Sequence, residues 1–366
     1  MDDFDEISLP GHAAVVLAPV ALALAEHLHL SGKELLRAYC LGLELDFKLA
    51  KQTVNELIGA GWCDFSVLGT VSAAAVAALL LGLEDEAFSN ALAIGVSKAS
   101  GVMANFGTST KPYHVGMAAS GGIEAALLAK HGVTGNPAAF EGETGFFHAF
   151  TGRELPADRF DWSRWDVLED CMQFKLHPCC TGALPTIDVF GRMVREHRLT
   201  REMVRSIDVA LDPYAFACMA YRQPKTMLEA KFSIAFPVAK LLEGELRLFD
   251  WREEEVLRPE LQEFYPKVSL HIPEEWKSQY VHKNIPCVVT VTLEDGRVLR
   301  EEGERYYYTR RSWDYLISEE ELLQKFCDCV AHRIPDDRAR AWFSALSRAE
   351  SATDAAELLR PLTVGG

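Results

Sequence analysis

The sequence predicts a mainly α fold, with a large all-helical domain drawn from both chain ends and an inserted α+β domain. Three observations carry this. Residues 1 to about 150 form successive Ala- and Leu-rich runs at helical spacing, punctuated by Gly or Asp. After about residue 155 aromatic and charged residues mix, and stretches with period-two alternation appear. From Ser318 the pattern returns to amphipathic helix. The boundaries that follow are 1–160 with 320–366 for the helical domain, and 161–319 for the insertion.

Taken in order, HAAVVLAPVALALAEHL, SGKELLRAYCLGLELDFKLAKQTVNEL, GTVSAAAVAALLLGL, DEAFSNALAIGVSKASGV and HVGMAASGGIEAALLAKHG read as helices. Several are apolar nearly all round, which marks the interior helices of a bundle. Ser31 with Glu34 has the spacing of a capping box. Small residues in SAAAVAA and ASGGIEAA allow helices to approach closely. RSIDVALDPYAFACM reads as a strand followed by a loop, and FSIAFPVAKLLEGEL as a helix. KVSLHI and IPCVVTVTLEDGRVLREEGE read as strands, the second turning at Glu-Asp-Gly. EEELLQKFCDCVAHRI and DRARAWFSALSRA close the chain as helices.

With 366 residues, 49% of them hydrophobic, the chain supplies a core easily. Its formal charge of −16, without a basic block, argues against nucleic acid. A small anionic substrate is compatible if the cations are gathered in a pocket. The apolar runs Ala13 to Ala25 and Val71 to Leu83 fall short of the ~20 residues of a membrane span. Nine cysteines and no leader segment point to reduced thiols and a cytoplasmic setting. Their only close spacings are Cys179-Cys180 and Cys327-x-Cys329, so no metal site is expected.

GTSTKPYHVGMAASGG places Lys111 and His114 three apart at the mouth of an apolar helix, with Pro112 suited to its first turn. Backbone N–H groups, helix dipole and two cationic side chains there would bind carboxylates. The alternative is a solvated first turn with an exposed lysine. His12 follows the acidic opening DDFDEISLPG, where Asp3 and Asp5 are either its proton-handling partners or a charged terminal segment. Cys63, beside Asp64 in a Gly-rich loop, is a candidate base or a simply buried thiol. Phosphate-binding, nucleophile-elbow, zinc-helix and dinucleotide motifs are absent from the sequence.

The ordered series DFDE…PGHAAVVLAPVALALAE, SGKELLRAYCLGLEL, VLGTVSAAAVAALLLGLE, GTSTKPYHVGMAASGGIEAALLAKHGVTG, FEGETGFF, FKLHPCC and AKFSIAFPVAKLLEG resembles the MmgE/PrpD family. That family includes 2-methylcitrate dehydratases, cis-aconitate decarboxylases and an iminodisuccinate epimerase. The resemblance implies an α+β lid over the helical domain, a homodimer, a pocket between the two domains, and chemistry on a small polycarboxylate that needs no cofactor or metal. It assigns Asp3, His12 and Lys111 to catalysis, with Cys63 a further candidate, and Thr110, Lys111 and His114 to substrate binding. It implies altered positions as well. Cys63-Asp64-Phe65 stands where the family has His-Pro-Thr, the stretch from Cys180 to Pro185 lacks the lid imidazole, and Phe236 replaces a tyrosine. The family's first helices precede the DFDD segment, so a soluble monomer starting at Met1 is not expected.

Overall fold

The structure, a computed structural model, describes residues 5–169, 172–244, 246–277, 284–306 and 317–362. Five helices build the first part: α1 (Ala13–His27), α2 (Gly32–Gly59), α3 (Asp64–Leu80), α4 (Asp85–Lys98) and α5 (Thr110–Lys130). The sequence makes α3 the centre, because it is apolar or small on every side. All residues from Asp64 to Ala78 are buried, and the other four helices pack around it. Close approach is literal at Gly122 of α5, where an added Cβ would sit 2.6 Å from the Ala73 backbone. Helix α2 starts at the expected capping box, with the Ser31 side chain accepting from the Glu34 N–H and Glu34 accepting in return.

Two short helices, α6 (Phe146–Thr151) and α7 (Asp166–Glu169), lead away from this bundle. The chain start returns to meet them: β1 (Glu6–Ile7) pairs antiparallel with β2 (Gln173–Phe174). Beyond come α8 (Leu184–His197), β3 (Val204–Leu211), α9 (Pro213–Cys218), α10 (Met227–Ala230), α11 (Ala235–Leu241), β4 (Val268–His271), β5 (Asn284–Leu293) and β6 (Val298–Tyr306). The strands form one sheet in the order β4-β3-β5-β6, with β3 parallel to β4 and antiparallel to β5. Helix α8 covers β5 and β6, and α11 packs on α8. The fold is therefore mainly α with an inserted α+β region.

One element differs from the sequence reading. Residues 213–218, expected as loop, form α9, because the Asp212 carboxylate accepts from the N–H groups of Tyr214 (2.9 Å) and Ala215 (3.2 Å) and Pro213 takes the first helical position. Near the end of the chain, helices Glu319–Val330 and Asp336–Leu346 enclose Cys327, Ile334, Ala339 and Trp342. The segment after them returns to the start of α2, where Gly32 N–H donates to Ala352 O at 2.9 Å and Ala355 N–H to Leu30 O at 2.7 Å. Among the described residues, no helix is long and apolar enough to cross a membrane.

Candidate active site

The loop before α1, the first turn of α3, the lead into α5 and the turn before α8 converge on one pocket. Its lining includes His12, Asp64, Phe65, Phe106, Lys111, Cys180, Thr181, Tyr214 and Phe232. The cavity is about 30 Å³, room for about two water molecules.

His12 is 8% exposed and its Nδ1 lies 2.8 Å from Asp5 Oδ1. That contact fixes the ring and leaves Nε2 as the second nitrogen available for proton transfer. Asp5 is itself tethered, its backbone oxygen accepting from Lys175 N–H (3.3 Å) and Lys325 Nζ (3.0 Å). Burial pushes the Asp5 carboxyl up, but the charge and hydrogen bond of His12, with Lys175 behind, hold it below the usual carboxylate range. Gly11 makes the tight approach possible. Its φ is +84°, and an added Cβ would lie 3.2 Å from Asp64 Oδ2 and 3.3 Å from the Phe65 ring.

Lys111 is only 2% exposed. Its Nζ lies over three rings, 5.1 Å from Phe65, 5.5 Å from Phe106 and 5.7 Å from Phe232. These rings come from α3, the lead into α5 and the α+β region, and they touch one another. The ring faces attract the ammonium without neutralising it. Phe65 also meets the His12 ring edge-on at 5.0 Å, so one side chain sets the positions of both cationic candidates.

Asp64 opens α3 beside Lys111. Burial pushes its carboxyl up to about 7, against the pull of its own and the Phe65 N–H groups and of the Lys111 charge. Behind it, burial likewise raises Asp46 to about 7, with Asp64 adding to the rise and the Ser72 hydroxyl donating to it at 2.7 Å. A carboxyl titrating near neutrality in the pocket is equipped to give or take a proton.

The sequence-derived candidates separate in space. His12 and Lys111 share the pocket, and the buried setting of Lys111 rules out the exposed-lysine alternative. His114 is buried, and its backbone oxygen faces the Ser66 hydroxyl at 3.4 Å, but it does not line the pocket; nor does the half-buried Thr110. Cys63 is fully buried as the residue before α3 and is not among the lining residues, which its neighbour Asp64 joins instead. Asp3 lies outside the described residues, and Asp5 is the acid that meets His12. Phe236 packs on Trp251 in the core, ring centroids 5.1 Å apart. Cys180 and Phe232 stand in the FKLHPCC and AKFSIAF segments but carried no site assignment, Thr181 and Tyr214 have no local signal, and the fold brings all four to the Lys111 pocket. Among the described residues, the acidic and imidazole groups close enough to share a metal ion are Glu196, His197 and Glu301, none of which lines the pocket.

Comparison with known proteins finds matches over nearly the whole chain. The MmgE/PrpD N-terminal domain matches residues 2–158 and the MmgE/PrpD C-terminal domain residues 177–348. The cis-aconitate decarboxylase of Homo sapiens is 31% identical over an alignment spanning 88% of this chain and 69% of the relative. That of Mus musculus is 29% identical, spanning 98% and 75%. That of Aspergillus terreus (strain NIH 2624 / FGSC A1156) is 26% identical, spanning 90% and 74%.

Proposed function

Since the chain belongs to the MmgE/PrpD family, we propose that it is a cofactor-free lyase acting on a small di- or tricarboxylic acid of the 2-methylcitrate/cis-aconitate type. The observation that carries this reading is the buried Lys111 ammonium, caged by phenyl rings, in one pocket with the Asp5-held His12 and with Asp64. Lys111 anchors a carboxylate and stabilises negative charge that develops beside it. In a decarboxylation, the bond from carbon to the departing carboxylate breaks, CO2 leaves, and the electron pair spreads toward the anchored carboxylate. Protonated Asp64 or His12 then returns a proton to carbon. In a dehydration, the same groups take the proton α to a carboxylate and protonate the leaving hydroxyl.

Decarboxylation is favoured by the activity that the names of the similar proteins state. An epimerase reading is supported by a different observation, two proton-transfer groups in one pocket. Incubation with cis-aconitate, 2-methylcitrate and citrate in D2O separates the cases. CO2 release or loss of water supports the lyase; deuterium exchange without net loss supports the epimerase. Absence of turnover and of exchange across the panel overturns both and leaves a carboxylate-binding or partner-binding paralogue.

The homodimer, the cytoplasmic setting and the two-domain division at 1–160 with 320–366 and 161–319 belong to the same proposal. Tyr113, Met117 and Leu127, exposed along α5 at helical spacing, supply an apolar face that a second copy would cover.

A further inference from the structure

The α+β wall of the pocket contains a thiol that neither the family pattern nor the reading above assigns. Cys180 lines the cavity and is 8% exposed. It sits immediately before the helical turn Thr181–Ala183 that runs into α8. Its own N–H donates to Lys231 O at 2.9 Å, which fixes the backbone there. The sulfur accepts from the Cys218 thiol on α9 and from the Gly182 N–H, and the charges of Lys175 and Lys111 act on it. Tyr214 and Asp212 face Cys218 from α9 and its cap, and His12 and Asp64 line the same cavity. Hydrogen bonds and cations both favour the ionised sulfur, holding the Cys180 thiol below its ordinary value despite burial, while Cys218 is pushed well above.

We propose that Cys180 is the acid–base residue that the α+β region contributes to catalysis, with Cys218 as its positioning residue. The inference rests on the proposed function. In the direction of proton removal, a C–H bond α to a carboxylate breaks, the proton passes to Cys180 Sγ, and the electron pair remains on the substrate as an enediolate beside Lys111. In a decarboxylation the thiol runs in reverse, its proton going to the carbon that has lost CO2. A decarboxylation needs that one proton alone; in a dehydration or epimerisation His12 or Asp64 handles the second transfer. The helical bundle thus supplies the anchor and one proton carrier, and the α+β region supplies the other.

Two measurements on the full chain test this. Iodoacetamide alkylation of Cys180, followed by peptide mass across pH, is expected to reach half its maximum below the ~8.5 of a free cysteine. Tricarballylate, a saturated tricarboxylate, is expected to slow it, and Cys218→Ala to move the profile upward. Cys180→Ser and Cys180→Ala are expected to lower turnover or solvent exchange roughly 10²- to 10⁴-fold with KM little changed. An ordinary thiol profile that tricarballylate does not alter overturns the proposal whether or not the variants fold. So does a folded Cys180→Ala chain with full activity, which leaves the proposed function standing. A wild-type chain inert toward the whole polycarboxylate panel removes the function, and the role of Cys180 with it.

Discussion

Lys48 and Lys111 are equally buried, each 2% exposed, and different kinds of group are gathered around them. Lys48 Nζ lies 2.9 Å from Glu44 and 3.0 Å from Asp166, and it donates to the backbone oxygens of Asp161 (2.6 Å) and Arg164 (3.2 Å). Burial alone would lower its pKa, but the two carboxylates outweigh it and raise the value. Glu44 in turn accepts from the N–H groups of Asp166 and Val167. Every part of that cluster is spent on holding the segment 161–167 against α2. Lys111 Nζ instead lies over the faces of three phenyl rings, in a cavity that also holds the Asp64 carboxyl, pushed up to about 7 by burial. Burial of a charge therefore does not identify a site by itself; what is arranged around the charge does.

The contrast is sharpest in activity. Lys111→Met, which keeps the length of the side chain, is expected to cost roughly 10²- to 10³-fold in turnover while leaving the urea midpoint near the wild-type value. Steady-state rates on the substrate identified by the panel check the first, and equilibrium unfolding the second. Lys48→Met is expected to do the reverse. It leaves Glu44 buried without its cation, while Asp166 keeps Lys51 at 2.8 Å, a loss of about 3 kcal/mol, read as a drop in urea midpoint with kcat unchanged in whatever remains folded. If Lys48→Met abolished turnover without destabilising the chain, or Lys111→Met unfolded it, the comparison would fail.

Smaller effects come from the buried carboxyls. With Asp64 raised to about 7, its protonated form is present below neutrality and lost above it. The proton-donating limb of the rate profile is then expected to fall through pH 7, and Asp64→Asn to remove that limb. A limb that persists unchanged in Asp64→Asn assigns it to another group. For stability the sign is that of a raised carboxyl: the contribution is full below the unfolded value near 3.8 and is lost as pH rises through about 7. Asp46→Asn mimics the protonated form, so its thermal midpoint should exceed wild type by roughly 2–4 °C at pH 8.5 and converge with it near pH 4. Calorimetry at the two pH values checks this.

The helices were legible because their signals are local. Apolar periodicity, the Ser31 capping box, and the small residues of α3 and α5 each act within one or two turns. The hairpin of β5 and β6 was legible for the same reason, in its alternation and its Glu-Asp-Gly turn. The site was legible in part. Lys111 and His12 stand in recognisable motifs, whereas Asp3 was the acid assigned to His12, and the bond that Asp5 makes to His12 depends on a fold-back that β1 and β2 create. Cys63 was the candidate taken from the sequence and Asp64 lines the pocket instead, since one residue of rotation at the start of a helix decides which side chain enters it. Cys180 and Tyr214 are brought to Lys111 from about seventy and a hundred positions further along the chain, and nothing local announces that meeting.

The two-water cavity has a consequence for timing. A polycarboxylate has several times the volume of the water-accessible space in this pocket, and the walls come from segments as distant as His12 and Phe232. Each turnover on such a substrate then needs the walls to part and close again, and steps of this kind set kcat in many enzymes. Motion of that size works against solvent friction, so kcat is expected to fall as sucrose or glycerol raises viscosity, even though neither reaches the reacting carbon.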